Sequence, residues 1–527
     1  MMLRRDFLAR AGAGAAGLAL LPGCASTAAQ GPSLPRSTPE AQGLSSAAIL
    51  AFLDAVAEKQ FELHGFMLLR HGQVVAEGWW KPYGPQFVHS LYSMSKSFTS
   101  TAVGFAVAEK RLSVDDRVLK FFPDERPATV GDHLAALRVR DLLTMSVGHE
   151  REPSWEVMRE GDWARQFLAW PVARPPGSTF RYSSAATYMC SAIVHRLTGQ
   201  RLTDYLRPRL FEPLGIQQVY SEVCPQGVDV GGSGLYLQTE SLARFGQLYL
   251  QGGRWNGRQI LPAAWVAEAT AAHIQQTPPE RPLRPHERND WLQGYGYQFW
   301  RCTHGAYRGD GAFGQFTVVM PQQQAVLAIT GECANMPGEL DLVWQHLLPS
   351  MKEAPLPADA HAHARLRETL ESLALPMPSG QGSSAAAARV SGRTFALAKN
   401  DLGLEAVSFD FAGRGSRVTF RDARRAYPLV CGFGAWQRGE TALPGMPPRL
   451  SPAGAPPAGT VHPYMGAGAW KDDSTFELLL RFHETAHHDR LTLRFSGDRV
   501  EIGFLGSIAA MSARPVDARA PLRGRLA

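Results

Sequence analysis

The stretch Ser90-Leu-Tyr-Ser-Met-Ser-Lys-Ser-Phe-Thr-Ser100 sets one lysine, Lys96, three residues after a serine, Ser93. Lysine is scarce in this chain: of 54 basic residues, eight are Lys and the rest are Arg. The apolar run from Phe98 to Glu109 predicts a helix, and on a helix residues three apart share a face. Ser93 and Lys96 can then touch. A serine hydroxyl is a weak nucleophile and needs a base beside it. An arginine guanidinium stays charged, whereas a desolvated lysine amine can lose its proton. The position therefore asks for an amine that titrates. The same spacing also arises by chance, as a solvated lysine at a helix start, so the pair needs support from elsewhere.

Two other stretches supply it. Pro175-Pro-Gly-Ser-Thr-Phe-Arg-Tyr-Ser-Ser184 puts Tyr182 after a turn and just before a helix. A phenol near an ammonium is expected to have its pKa pulled down and to shuttle a proton; the alternative is a half-buried core tyrosine. Gly309-Asp-Gly-Ala-Phe-Gly-Gln315 is a glycine-flanked strand that can offer its backbone to a ligand. The N–H of Ala312, beside Gly311, could join the N–H of Ser93 as an oxyanion hole. A plain tight turn between strands would read the same way.

Taken in order, Ser93-Met94-Ser95-Lys96, Tyr182-Ser183-Ser184 and Gly309 to Gly314 resemble the serine β-lactamase and penicillin-binding-protein superfamily, on its class C β-lactamase and esterase side. Asp141-Leu-Leu-Thr-Met-Ser146, Gly231-Gly-Ser-Gly-Leu-Tyr236 and Phe245-Gly-Gln-Leu-Tyr249 add to the likeness, which runs from Gly43 to Leu348. It implies an α+β fold, an antiparallel sheet flanked by helices with a helical subdomain. It also implies an acyl-enzyme on Ser93, no metal and no cofactor. Ser93, Lys96 and Tyr182 would be catalytic, with Ala312, Gly311 and Ser184 on the oxyanion and substrate side.

Two departures matter. Ser184 stands where class C enzymes usually carry Asn, and a hydroxyl has shorter reach than an amide. Gly309-Asp310-Gly311 stands where Lys-Thr-Gly is usual, so the cation that would hold a substrate carboxylate is missing. Arg308 is either its replacement or an exposed structural arginine. The stretch Gly294-Tyr-Gly-Tyr-Gln-Phe-Trp300 followed by Gly311-Ala-Phe-Gly-Gln315 resembles the 6-aminohexanoate-dimer hydrolase branch, whose members cleave amides and esters. The expected partner is a small-molecule ester or amide. The alternatives are an inactive cell-envelope binding protein and a D-Ala-D-Ala carboxypeptidase. No G-x-S-x-G elbow occurs in the sequence, which argues against an α/β-hydrolase triad.

Working outward, Ser45 to Glu58 has helical spacing, and Gly65 to Gly78 reads as a hairpin turning at His71-Gly72. Phe313 to Met320 and Ala325 to Thr330 read as paired strands. Strands near both ends with helices between predict a sheet that the two ends share, over residues 35–352. Residues 353–388 read as a linker with one helix, Asp359 to Leu373, and a flexible tract, Ser379 to Ala388. Residues 389–515 read as a separate β-rich domain, a sandwich or partly closed barrel.

With 527 residues the chain is too long for one core. Its net charge of +6 is carried by scattered arginines, not runs, so no nucleic-acid partner is expected. Arg4-Arg5-Asp6-Phe7-Leu8 has the twin-arginine form within an export signal over residues 1–30. Leu21-Pro22-Gly23-Cys24 resembles a lipoprotein box, which would lipidate Cys24 and anchor a periplasmic protein; ordinary cleavage is the alternative. The six cysteines lack C-x-x-C spacing. His483-Glu-Thr-Ala-His487 matches the zinc motif H-E-x-x-H. It falls between two strand-like runs, so its histidines are expected in a solvated loop that does not bind metal.

Overall fold

Leu63–Arg70 (β1) and Gln73–Trp79 (β2) form the expected hairpin, with Arg70 opposite Gln73. The two loop residues, His71 and Gly72, both take positive φ (51° and 78°), as a two-residue turn matched to strand twist requires. The computed structural model describes residues 33–527 apart from 160, 281–282 and 451–458. The proposed export signal and Cys24 lie outside the described residues.

Trp300–Arg301 (β3), Tyr307–Gly311 (β4), Gln315–Met320 (β5) and Ala325–Gly331 (β6) complete a six-stranded antiparallel sheet in the order β2-β1-β6-β5-β4-β3. The sheet joins segments from both ends of this region, as expected. Alternation along β1 sends Met67 and Leu69 into one core and Phe66 and Leu68 into another. The second core holds helix Ser46–Glu58 (α1) and helix Ala360–Ser372. The first holds Ser95–Ala108 (α2), Ser184–Thr198 (α3) and Thr239–Leu250 (α4). α2 is buried on nearly every face because it sits between the sheet and the helical lobe.

The C-terminal part is a barrel. Its strands are Thr394–Leu397 (β7), Ala406–Ala412 (β8), Gly415–Arg421 (β9), Ala426–Phe433 (β10), Gln437–Thr441 (β11), His462–Trp470 (β12), Thr475–Arg481 (β13), His488–Ser496 (β14), Arg499–Gly506 (β15) and Leu522–Leu526 (β16). Pairing runs β10-β9-β8-β7-β16-β15-β14-β13-β12, and β12 returns to β10 in parallel at Gly432–Ala467 and Phe433–Gly468. β11 pairs beside β12. Full closure leaves the ring no free edge. Its interior is filled by Phe395, Phe409, Phe420, Leu478, Leu493 and their neighbours.

Two expectations are corrected. The tract Ser379 to Ala388 is not a free linker: Ala385–Val390 is helical and plugs Ala386 and Val390 into the barrel core, while Gln381 and Trp470 exchange backbone hydrogen bonds of 2.9 Å. Nor does the β-rich part end at 515, since β16 closes the ring between β7 and β15. Residues 34–527 form one compact unit.

Candidate active site

Tyr92–Met94 is a tight 3₁₀ turn that runs into α2 at Ser95. The Ser95 hydroxyl donates to the Tyr92 carbonyl at 2.6 Å and accepts from the Leu235 N–H at 3.2 Å, fixing this turn against Leu235–Leu237. Ser93 and Lys96 thus lie one turn apart, and Lys96 Nζ is 2.9 Å from Ser93 Oγ. The amine is 1% exposed. It also reaches Ser184 Oγ at 3.0 Å and the Gly232 carbonyl at 2.7 Å. Burial pushes its pKa down to about 7, against the opposing pull of Glu152 and Asp310.

Tyr182 joins this pair from just ahead of α3. Its ring lies 4.7 Å from Lys96 Nζ, and its phenol is near enough to Ser93 for that hydroxyl to favour the charged form. The three side chains therefore converge. One expectation fails: burial pushes the Tyr182 phenol up, and the neighbouring Ser93 hydroxyl offsets only part of that. Tyr182 is a neutral phenol at neutral pH, a proton donor. Its ring packs against Trp300 and Tyr295, at 5.3 and 6.2 Å between centroids, which gives the Gly294 to Trp300 stretch a structural purpose.

Gly232 was visible only as part of a glycine-rich run. A Cβ there would lie 2.9 Å from the Ser184 carbonyl oxygen, so glycine lets this backbone close on Lys96. On the other side, β4 passes against the turn that carries Ser93. A Cβ on Gly311 would meet the Leu91 carbonyl at 2.2 Å, and one on Gly309 would meet Met94 Cγ at 3.1 Å. The three-residue loop Ala312–Gly314 then leads into β5, with Gly311 opposite Gln315. Strand pairing begins two residues later than Phe313, which takes φ 66°.

Arg308 is neither a replacement cation nor an exposed arginine. It is 0% exposed. It donates to Asp310 Oδ2 at 2.8 Å and to the Asp290 carbonyl at 2.8 Å, and lies over the Trp291 ring. Asp310 is thereby tied to a buried cation.

The pocket over Ser93 has a volume of about 210 Å³ and is lined by Ser93, Ser184 and Ala312 among others. Sequence reasoning missed two sets of lining residues. Glu152, Trp155 and Met158 come from the helical lobe, Glu222 follows the short strand Tyr220–Ser221, and Tyr236 lies on its neighbour Leu235–Leu237. Pro447, Pro448, Arg449, Leu450, Thr485 and His487 come from the barrel. Arg449 Nη2 donates to Glu222 Oε1 at 2.7 Å, and Tyr236 Oη donates to the same oxygen at 2.8 Å. Nothing in the sequence marks Pro447 to Leu450.

The His483 to His487 motif does not form a solvated loop: His483 and His487 are 2% and 1% exposed. The connection from β13 to β14 is pressed against the half of the molecule that holds Ser93. The His483 ring packs on Phe87, while His487 bonds Tyr92 and Glu332. Glu62, Glu332 and His488 bring ligand-type atoms within 4.8 Å of one another. Those carboxylates already have protein partners: Arg481 forms an ion pair with Glu62, His64 hydrogen-bonds Glu62, and His487 and His488 hydrogen-bond Glu332. The five cysteines among the described residues, Cys190, Cys224, Cys302, Cys333 and Cys431, are buried free thiols.

A family model described as Beta-lactamase matches residues 52–344. A 6-aminohexanoate-dimer hydrolase of Paenarthrobacter ureafaciens is 27% identical over 281 residues, 50% of this chain and 70% of that protein. Esterase EstB of Burkholderia gladioli is 26% identical over 211 residues, 34% of this chain and 53% of that protein. Among solved structures, a penicillin-binding protein homologue from Caulobacter crescentus aligns with a TM-score of 0.47 and 18% identity, covering 59% of this chain and 99% of that one.

Proposed function

This chain belongs to the beta-lactamase family, and on that premise we propose that it hydrolyses an ester or linear amide through an acyl-enzyme on Ser93. The observation that carries the reading is the 2.9 Å contact between Ser93 Oγ and a buried lysine amine whose pKa lies near 7. The neutral amine takes the Ser93 proton as Oγ attacks the carbonyl carbon. The N–H groups of Ser93 and Ala312 stabilise the oxyanion. Tyr182 gives its proton to the leaving oxygen or nitrogen as that bond breaks, and Lys96 returns a proton to Tyr182. Water then attacks the acyl carbonyl by the reverse route and frees Ser93.

Substrates whose recognition depends on a carboxylate, such as β-lactams and D-Ala-D-Ala peptides, are disfavoured. The usual lysine is replaced in Gly309-Asp310-Gly311, and Arg308 is locked against Asp310. The 6-aminohexanoate-dimer hydrolase relative, matched over 70% of its own length, supports the same preference. The twin-arginine form at Arg4-Arg5 and the box ending at Cys24 support action outside the cytoplasm.

A turnover panel tests the reading: short-chain nitrophenyl esters, a chromogenic cephalosporin, a D-Ala-D-Ala peptide and a linear amide. Nitrophenyl ester turnover should exceed cephalosporin turnover and disappear in Ser93→Ala. A fluorophosphonate probe that fails to label folded wild-type protein would instead favour a binding protein.

A further inference from the structure

Tyr92 immediately precedes the nucleophile, and Phe313 immediately follows Ala312. Both are non-glycine residues in the left-handed region, at φ 47° and 66°. That conformation is disfavoured for a residue with a Cβ and persists only where surroundings hold it. It matters here because the Ser93 N–H belongs to the Tyr92–Ser93 peptide plane. A turn of the Tyr92 backbone swings that donor, and a shift at Phe313 drags the loop that carries the Ala312 N–H.

One barrel side chain touches both residues. His487 Nε2 is hydrogen-bonded to the Tyr92 hydroxyl, and the His487 ring meets Phe313 edge-on, with centroids 5.0 Å apart and planes at 90°. Tyr92 and Phe313 also pack edge-on at 5.5 Å. Behind the histidine, Glu332 Oε1 lies 2.5 Å from Nδ1, and Ser507 Oγ lies 3.3 Å from the same nitrogen. A carboxylate only accepts, so it fixes the proton on Nδ1 and leaves Nε2 to accept from Tyr92. Burial pushes the His487 pKa down to about 3, with Arg449 adding to the shift, so the ring stays neutral and the tautomer holds at working pH. The same connection grips the strand before the nucleophile: the Ser90 N–H donates to the Glu484 carbonyl at 3.0 Å.

We propose that His487 is a positioning residue for the oxyanion hole, a brace from the barrel that holds Tyr92 and Phe313 in place and thereby aims the N–H donors of Ser93 and Ala312. The inference rests on the acyl-enzyme reading above.

The experiment uses the full-length protein with p-nitrophenyl acetate, and phenylboronic acid as inhibitor. The boronate forms a tetrahedral adduct on a serine oxygen and places a hydroxyl in the oxyanion hole. His487→Ala should lower kcat between about ten- and a hundredfold with KM changed less than about twofold, and should weaken phenylboronic acid by the same factor. His487→Gln, which keeps an acceptor, should recover part of the loss. Tyr92→Phe should reproduce most of the loss, and adding His487→Ala to it should cost little more. His483→Ala removes a ring from the same connection that stacks on Phe87, 4.1 Å between centroids, and should leave kcat unchanged.

If His487→Ala does not fold, as judged by circular dichroism, Tyr92→Phe and His487→Gln decide the matter. Turnover that survives Ser93→Ala, or wild-type protein without turnover, sinks the hydrolase reading and the brace with it. Ser93-dependent turnover that Tyr92→Phe and the His487 variants leave unchanged sinks the brace alone. So does an equal loss in His483→Ala, which would make the connection mere domain packing.

Discussion

Lys96 has three hydrogen-bond partners and a charge it can give up near neutrality. As an ammonium it donates to all of them: Ser93 Oγ, Ser184 Oγ and the Gly232 carbonyl. As a neutral amine it keeps two donors, one for the Gly232 carbonyl and one for Ser184, and turns its lone pair to the Ser93 hydroxyl. Neither state leaves a buried group unpaired, so the site accommodates the change of charge. The sign of the pH dependence follows. Below about pH 7 the ammonium cannot accept the Ser93 proton, so kcat/KM should fall about tenfold per pH unit and level off above it. Nitrophenyl ester rates corrected for spontaneous hydrolysis provide the check. A flat profile between about pH 5 and 8 would remove Lys96 as the base. Tyr182 contributes no limb in that range, because burial pushes its phenol up.

Among elements, what could be read in advance was what is local. Ser93 and Lys96 were legible because one helical turn joins them, and Tyr182 because a turn and a helix start frame it. The hairpin at His71-Gly72 followed from its two turn residues. The Lys96–Gly232 bond spans 136 residues and the Tyr92–His487 bond 395, and no periodicity encodes such a meeting. The His483 to His487 motif was legible as letters but misleading as chemistry: on a connection between strands its histidines part, one to Phe87 and one to Tyr92. Strand β4 is an intermediate case. Its glycines pointed to close backbone approach, and the approach proves to be against the turn that carries Ser93. Gly311→Ala should therefore push β4 off Leu91, whose carbonyl a Cβ would meet at 2.2 Å. We expect a destabilisation of about 1–3 kcal/mol and a loss in kcat of at least about tenfold from the displaced Ala312 donor. Thermal unfolding and ester kinetics on the same preparation test this; wild-type kcat in folded Gly311→Ala would show that β4 does not set the site.

At the scale of the whole molecule, the barrel is wedded to the catalytic half by buried charge as well as by the pocket it lines. Arg481, 3% exposed, donates to Glu62 Oε1 at 2.5 Å and Oε2 at 3.3 Å. Burial raises the Glu62 carboxyl, but Arg481, then His64 and His488, draw it well below the usual carboxylate range. Glu62 therefore binds fewer protons folded than unfolded as pH falls below about 4.3, the ordinary glutamate value. The stability this contact supplies is fully present above that pH and is lost as pH drops toward the folded pKa. Removing the cation leaves Glu62 among buried neighbours without its main partner, a change that costs about 3 kcal/mol when a buried pair is broken from one side. Arg481→Ala should thus lower the thermal midpoint clearly at pH 7, and the gap to wild type should narrow as pH falls below about 4.3, where Glu62 of the unfolded chain takes up a proton that the folded pair still excludes. Scanning calorimetry of both proteins at several pH values measures it. A midpoint at pH 7 equal to wild type, or a gap that widens in acid, would mean that the two halves are held together by apolar packing and not by this pair.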